Sequence, residues 1–528
     1  MNRIKPLALT APIALSACNG TPDKPNIVFF LIDDYGWTDS SVQYGEQLYP
    51  YNLRFNTPNM QRLAGMGVVM GNAYACPVST PTRACMMSGM NAARIKVTNF
   101  TSLEKDKPSD AIGGAPGSVN PNESDIFANP EWNHNGICPA AFRPDSARLG
   151  LNHTAFVTPV VQLLKDAGYF TVHAGKAHWA PAGTPGTNPY NYGFAVNIAG
   201  GSNGHPRSYL GADNYGNTKD LWDLAAIQNM VEYYGTDVNL TEALTREALK
   251  ALDYPVRHNQ PFYLYMSHHG THTPIQRDER FVQKYLDAGM SEKEARYASM
   301  VESVDWSLGQ IMQWLEERGV ADNTVILFMS DNGGQSVGSA KGGEDHTQNL
   351  PLREGKASVY EGGIRVPMIF YWPGRTKARR ENVPAMPEDI FPTLLDIAGV
   401  RSFSTVQTID GVSLLPTFLE GSPIDRDLVF HYPHQWRVED QEDIDFLSAI
   451  RRGDWKLVYR MHTGALELYN LKEDIGERHD VSAEHPDVVQ SLAAALSSRL
   501  KEWDASMPIV RESGLPVPMP DANTRLSP

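Results

Sequence analysis

The chain has 528 residues, with 61 acidic side chains against 46 basic ones and a formal net charge of −15. That balance argues against a nucleic-acid partner and against general adhesion to anionic lipid, so an anionic substrate must be drawn in by local charges. Four cysteines in this length argue against a disulfide framework, although one bridge is permitted, and the length suits one large α/β domain plus a smaller piece, or two to three average domains.

Residues 1–17 read as a targeting segment. Arg3 and Lys5 make a short basic start, Leu7 to Leu15 is mostly apolar, and Leu15-Ser16-Ala17-Cys18 resembles a bacterial lipobox. The apolar run is too short to cross a bilayer. On this reading residues 1–17 are a lipoprotein signal peptide, Cys18 is the lipidated first residue of the mature chain, and residues 18–24 form a tether. The protein is then exported, to the periplasm or as an outer-membrane lipoprotein, and meets membrane only through that lipid. An ordinary cleaved signal peptide exports it equally. Residues 1–17 carry Arg3, Lys5 and no acid, so their removal takes the charge from −15 to −17.

Asn26 to Ile32 is a continuous apolar run of the kind found in buried parallel strands, and Asp33-Asp34 follows at its carboxyl end. Ligands of open α/β sheets collect at such ends. Neighbouring residues of a straight strand point to opposite faces, so both aspartates reach one target only if the chain turns there, which Gly36 eases. Thr57 to Met66 reads as a first crossover helix. Next comes Ser79-Thr80-Pro81-Thr82-Arg83-Ala84-Cys85-Met86-Met87-Ser88, closed by Gly89. Thr80 suits an N-cap, Pro81 the first turn, and Thr82 to Met87 a short helix stopped by Gly89. Ser79 and Arg83 lie four residues apart, so one helical turn sets hydroxyl and guanidinium on one face. The helix N-terminus adds positive potential there.

Ser-x-Pro-x-Arg followed by Met-Ser-Gly resembles the signature of the type I, formylglycine-dependent sulfatases, bacterial arylsulfatases and carbohydrate sulfatases among them. Cys76 does not start the motif, because Val78 stands where it requires proline. The resemblance implies that Ser79 is the Ser-type precursor, oxidised by a formylglycine-generating maturation enzyme to an aldehyde whose hydrate is the nucleophile. It also implies an alkaline-phosphatase-like α/β fold, a large mixed sheet sandwiched by helices with a smaller C-terminal α+β subdomain.

Roughly Thr98 to His153 is rich in Pro, Gly, Asn and Asp, and reads as a pocket wall or a surface insertion. Trp132, His134 and Arg143 are its candidates for touching substrate. Thr158 to Ala167 is an amphipathic helix and Tyr169 to Ala174 a strand. Lys176 and His178 follow it two residues apart, sharing a face in extended chain. They resemble the family's Gly-Lys-x-His element, which implies contact with formylglycine and sulfate. Gly193 to Tyr209 resembles a segment of many bacterial sulfatases and suits a loop near the pocket, with no role assigned.

Pro261 to Met266 is another strand, and beyond it His268 and His272 have a spacing that a helical zinc site could use. Gly270, Pro274 and the missing metalloprotease glutamate speak against that. The resemblance makes His272 the sulfate ligand and general acid, with His268 a possible helper and more naturally structural. Tyr297 to Glu317 is a long helix, and Asn323 to Ser330 a second buried strand ending in Asp331-Asn332. Asp33, Asp34, Asp331 and Asn332 form a hard oxygen set for Ca²⁺ or Mg²⁺ rather than zinc. The family's metal is calcium, one ion per site. Leu352 to Lys356 and Tyr360 to Pro367 resemble the family's second signature, whose lysine, here Lys356, binds sulfate.

Asp389 to Ala398 is a helix. His431 to Asp445 reads as a loop between domains, with His434 able to reach the cleft. Ser448–Arg451, Trp455–Tyr459 and Glu467–Tyr469 read as strands and Val488–Trp503 as a closing helix. The expected division is a catalytic domain over 25–430 and a C-terminal subdomain over 431–528. The function this implies is hydrolysis of sulfate esters, on a sulfated carbohydrate, with Lys176, Lys356 and Arg83 supplying positive charge. A phosphodiesterase or phosphonate hydrolase of the same superfamily, and a catalytically inactive glycan-binding lipoprotein, are the alternatives. Paired sulfate-ester and phosphodiester assays separate the first, and the mass of the Ser79 peptide separates the second.

Overall fold

The computed structural model describes residues 24–109, 124–217, 223–335, 348–435 and 444–522. Cys18, the signal segment, most of the tether and part of the long insert lie outside these. The main sheet has eight strands: β1 (Asn26–Ile32), β2 (Val68–Met70), β3 (Phe170–Gly175), β4 (Val196–Ile198), β5 (Phe262–Ser267), β6 (Thr324–Ser330), β7 (Met368–Tyr371) and β8 (Arg379–Glu381). Their order is β8-β2-β7-β6-β1-β5-β3-β4, and β7 alone runs against the rest.

The centre of this sheet is apolar on both faces, as parallel strands covered on both sides require. On β1, Ile27, Phe29 and Leu31 face one core and Val28, Phe30 and Ile32 the other. Helices Ser79–Ser88, Val160–Asp166 and Ile390–Ile397 cover the first face, and Pro58–Ala64, Leu240–Arg257 and Glu292–Glu317 the second. Register places the carboxyl ends of four strands side by side. Ile32 pairs with Ser330, Leu31 with Ser267, and Gly175 with Ser267. Residues 33, 331, 268 and 176 therefore leave the sheet along one edge.

A second sheet, β9 (Leu428–Tyr432), β10 (Leu447–Arg452), β11 (Trp455–Arg460) and β12 (Ala465–Asn470), is antiparallel throughout. One face packs on helix Pro486–Glu502. The other packs on Tyr74, Val78, Val359, Tyr360 and Ile364 of the main domain. The sheet takes in residues 428–430, so the division expected at 431 cuts a strand. His431 lies within β9 rather than in a loop, its Nδ1 against Ser448 Oγ (2.7 Å) and its Nε2 against Ser506 O (2.9 Å).

A buried charge cluster ties the two sheets together. Lys456 Nζ lies 2.9 Å from Glu361 and 2.7 Å from Glu477, Arg365 pairs with Glu361 at 3.1 Å, and Arg451 contacts the Tyr74 hydroxyl. Tyr74 in turn donates to Glu361 at 2.8 Å. Burial opposes the charge on Glu361, yet Lys456, Arg365 and Arg451 together hold its carboxyl at about 2.

Candidate active site

The helix that follows Val78 begins at Ser79, earlier than the expected start after Thr80. Pro81 is still in the first turn, where a missing N–H costs nothing. The helix N-terminus therefore presents Ser79 itself, 3 % exposed, to the strand ends. Ser79 Oγ donates within reach of Asp33 Oδ1 (3.0 Å) and Asn332 Oδ1 (3.1 Å), and accepts from Lys176 Nζ (3.1 Å). Residues 253 apart in sequence thus meet at one hydroxyl.

The two aspartates share a target because the chain turns at Asp34, whose φ is 58°. Aspartate is among the few residues that tolerate this left-handed region. Lys176 Nζ sits 2.7 Å from Asp33 Oδ2 and Lys356 Nζ 2.7 Å from Asp34 Oδ1. Burial pulls the Lys176 ammonium below the ordinary lysine range against the attraction of Asp33. For Lys356 burial acts the same way, but Asp34 and Asp33 outweigh it and raise the group. Asp33, Asp34 and His272 bring ligand atoms within 4.8 Å of one another, a grouping able to hold a metal ion. Asn332 adds an amide oxygen beside Asp33. Asp331 stands slightly apart: its Oδ2 takes Arg83 at 2.7 Å, and its Oδ1 accepts the Asp34 N–H at 3.2 Å.

Arg83 stands behind the acids rather than at the cavity wall. It is fully buried, bound to Asp331, to Ser267 Oγ (2.5 Å) and to Lys176 O (3.1 Å), and it is absent from the described residues that border the cavity. Its guanidinium faces Asp331 on the acidic side of the site. His178 Nε2–H donates to Thr101 O (3.0 Å), leaving Nδ1 to accept from Thr80 Oγ1 (3.3 Å). His272 Nδ1–H donates to Thr273 O (3.0 Å), and its Nε2 points toward Asp34 Oδ2 at 3.7 Å. Burial, with Lys356 beyond it, keeps the His272 imidazole well below its ordinary range.

A cavity of about 490 Å³ opens above Ser79, bordered by Lys176, His178, His272 and Lys356 on the polar side. The sequence profile of the sulfatase family matches residues 25–119 and 146–400. The chain belongs to the sulfatase family. A profile described as the C-terminal part of N-sulphoglucosamine sulphohydrolase matches residues 355–506, across the junction of the two sheets. A sulfatase of Formosa agariphila is 29 % identical, the match covering 91 % of this chain and 88 % of the relative. Human N-acetylgalactosamine-6-sulfatase is 28 % identical over 93 % of this chain and 88 % of its own. Among solved structures, Ps i-CgsB in complex with k-i-k-neocarrahexaose is 25 % identical, with TM-score 0.67 and coverage of 95 % of this chain and 96 % of that one. The fold is thus the alkaline-phosphatase-like fold of sulfatases, and the protein is a sulfuric ester hydrolase.

Five residues expected to touch substrate are not among the described residues bordering the sulfatase cavity. His268 is buried with Nε2 against Ser307 Oγ (2.8 Å), a structural role. His434 is buried against Thr98 Oγ1 (2.7 Å), Trp132 packs edge-on to it, His134 stacks on His153, and exposed Arg143 covers Phe156. The insert does line the pocket, but through Phe100 to Glu104 and Lys107. His205 also borders it and was missed. The one available signal was its place in the Gly193–Tyr209 segment. No helix among the described residues is long and apolar enough to cross a membrane.

Proposed function

We propose that this sulfatase hydrolyses sulfate esters of carbohydrates, using a formylglycine made from Ser79 and one Ca²⁺ held by Asp33, Asp34, Asp331 and Asn332. The observation that supports it most is the meeting of Asp33, Asn332 and Lys176 on the Ser79 hydroxyl. The donor chemistry fits a hard cation, since the set is carboxylate and amide oxygen with His272 at its margin. The carbohydrate is supported by relatives named as N-acetylgalactosamine-6-sulfatases and by the neocarrahexaose complex.

When present, the hydrated aldehyde supplies a nucleophilic oxygen and the ion supplies Lewis acidity beside it. Lys176 and Lys356, both buried at the cavity floor, hold the sulfate oxygens and offset charge in a water-poor site. Asp33 and Asn332 orient side chain 79, and Arg83 positions Asp331. His272 serves as general acid in its imidazolium form, giving the Nε2 proton to the leaving oxygen and keeping its Nδ1–H on Thr273 O, so it must first take up a proton at Nε2. His178 takes up a proton at Nδ1, since Nε2–H is committed to Thr101 O. Export as a lipoprotein through Cys18 completes the reading. Tryptic cleavage after Arg62 and Arg83 gives a peptide carrying residue 79. Loss of two hydrogens from it, in protein that releases sulfate from a sulfated sugar, is the expected result. An unaltered serine in fully active protein would falsify the reading.

A further inference from the structure

The segment from Gly201 to Tyr209 is built around both histidines of the site. Gly201 O accepts the His178 N–H (3.1 Å). A Cβ on Gly204 would lie 2.7 Å from His178 Cε1 and 3.0 Å from Nε2, so only glycine lets the chain pass the ring this closely. The next residue, His205, stacks on His272 with ring centres 5.7 Å apart and planes within 11°. Tyr209 then donates to His269 O (2.7 Å) and lies 2.9 Å from His272 O, fixing the backbone under that ring. Asn203 holds Leu224 O (2.6 Å) and Ala226 O (3.1 Å), and Arg207 N–H bonds Ala225 O (2.9 Å). His205 is therefore clamped on both sides in sequence.

Its polar atoms have different fates. Nδ1 faces Pro206 O at 3.1 Å, and a carbonyl oxygen only accepts, so Nδ1 carries the hydrogen. Nε2 is then a lone-pair acceptor on a side chain that borders the cavity. The lysines already answer the negative oxygens of a sulfate, whereas a neutral acceptor answers an O–H. We propose that His205 accepts a hydrogen bond from a hydroxyl of the sugar that leaves the sulfate, and so selects sugar esters over esters without hydroxyls. This rests on the carbohydrate reading above.

The test compares kcat/KM for p-nitrophenyl sulfate, which has no hydroxyl, with that for N-acetylgalactosamine 6-sulfate, galactose 6-sulfate and N-acetylglucosamine 6-sulfate. In His205→Ala the ratio of the best sugar to the aryl ester should fall by about tenfold or more, because a hydroxyl read by a hydrogen bond loses its partner. His205→Gln keeps an acceptor on a comparable stem and should recover part of the ratio. A ratio that stays within threefold in His205→Ala, in wild-type protein that does turn over sugar, overturns the role of His205 alone. Wild-type turnover of the aryl ester and of none of the three sugars overturns the carbohydrate reading and this role with it.

Discussion

Two clusters of buried charge in this chain look alike in composition and differ in what they enclose. The first gathers Asp33, Asp34, Asp331, Lys176, Lys356 and Arg83 at the strand ends; the second gathers Glu361, Glu477, Lys456, Arg365 and Arg451 between the sheets. Both shift the protonation of their members, Lys176 downward by burial and Glu361, against burial, downward by its cations. Shifted protonation alone therefore does not mark a site, since structural ion-pair networks produce it too. The difference is geometric. Lys176 and Lys356 border a cavity of about 490 Å³ and Ser79 lies at its base, while none of the second set is among the described residues that border it.

Substitutions separate the two clusters. Ser79→Ala should lower turnover on the order of 10⁴-fold, and Lys356→Ala by about 10²–10³-fold. Both should leave a cooperative unfolding transition, and sulfate release near the wild-type rate from either would erase the contrast. Lys456→Met should do the reverse. It strands Glu477 without its cation and should cost about 3–5 kcal/mol of stability, read by denaturant unfolding, while folded protein keeps its turnover. Lost turnover at unchanged stability would show that the inter-sheet cluster serves the chemistry after all.

Acid sharpens the contrast further. Burial lowers the His431 imidazole to about 4 from an ordinary 6.5. Its neutral form supports the fold fully above 6.5, and that support is lost as pH falls from 6.5 through 4, worth about 3 kcal/mol. His431→Asn should flatten that part of the stability–pH curve, and an unchanged slope would assign it to other buried histidines such as His173. The smallest effect on stability concerns the ion. Chelation should abolish turnover, Ca²⁺ should restore it, and Ca²⁺ at a hundredfold excess over Kd should raise stability by about 2.7 kcal/mol. Thermal unfolding that ignores Ca²⁺ would remove the ion from the strand-end cluster.

The strand ends were legible because β1 and β6 are unbroken apolar runs followed at once by acids. The shared aim of Asp33 and Asp34 was legible as a need for a turn at the pair, and Asp34 itself makes it. What could not be read was the cavity wall. Trp132, His134 and Arg143 were chosen by side-chain type within the insert, whereas Phe100 to Glu104 and His205 reach the pocket through loop paths that no periodicity encodes. Arg83 was placed correctly along the chain, but its burial against Asp331 depends on a strand about 250 residues downstream.

The register that sets four strand ends in one row also has a timetable. Residue 79 has no finished surroundings until the chain beyond residue 332 exists, 253 positions later. At ribosomal speeds of about 5–20 residues per second this is a delay of roughly 10–50 s. During that interval an enzyme acting on side chain 79, as the proposed formylglycine requires, would meet an open stretch of nascent polypeptide, and afterwards it would face a closed door.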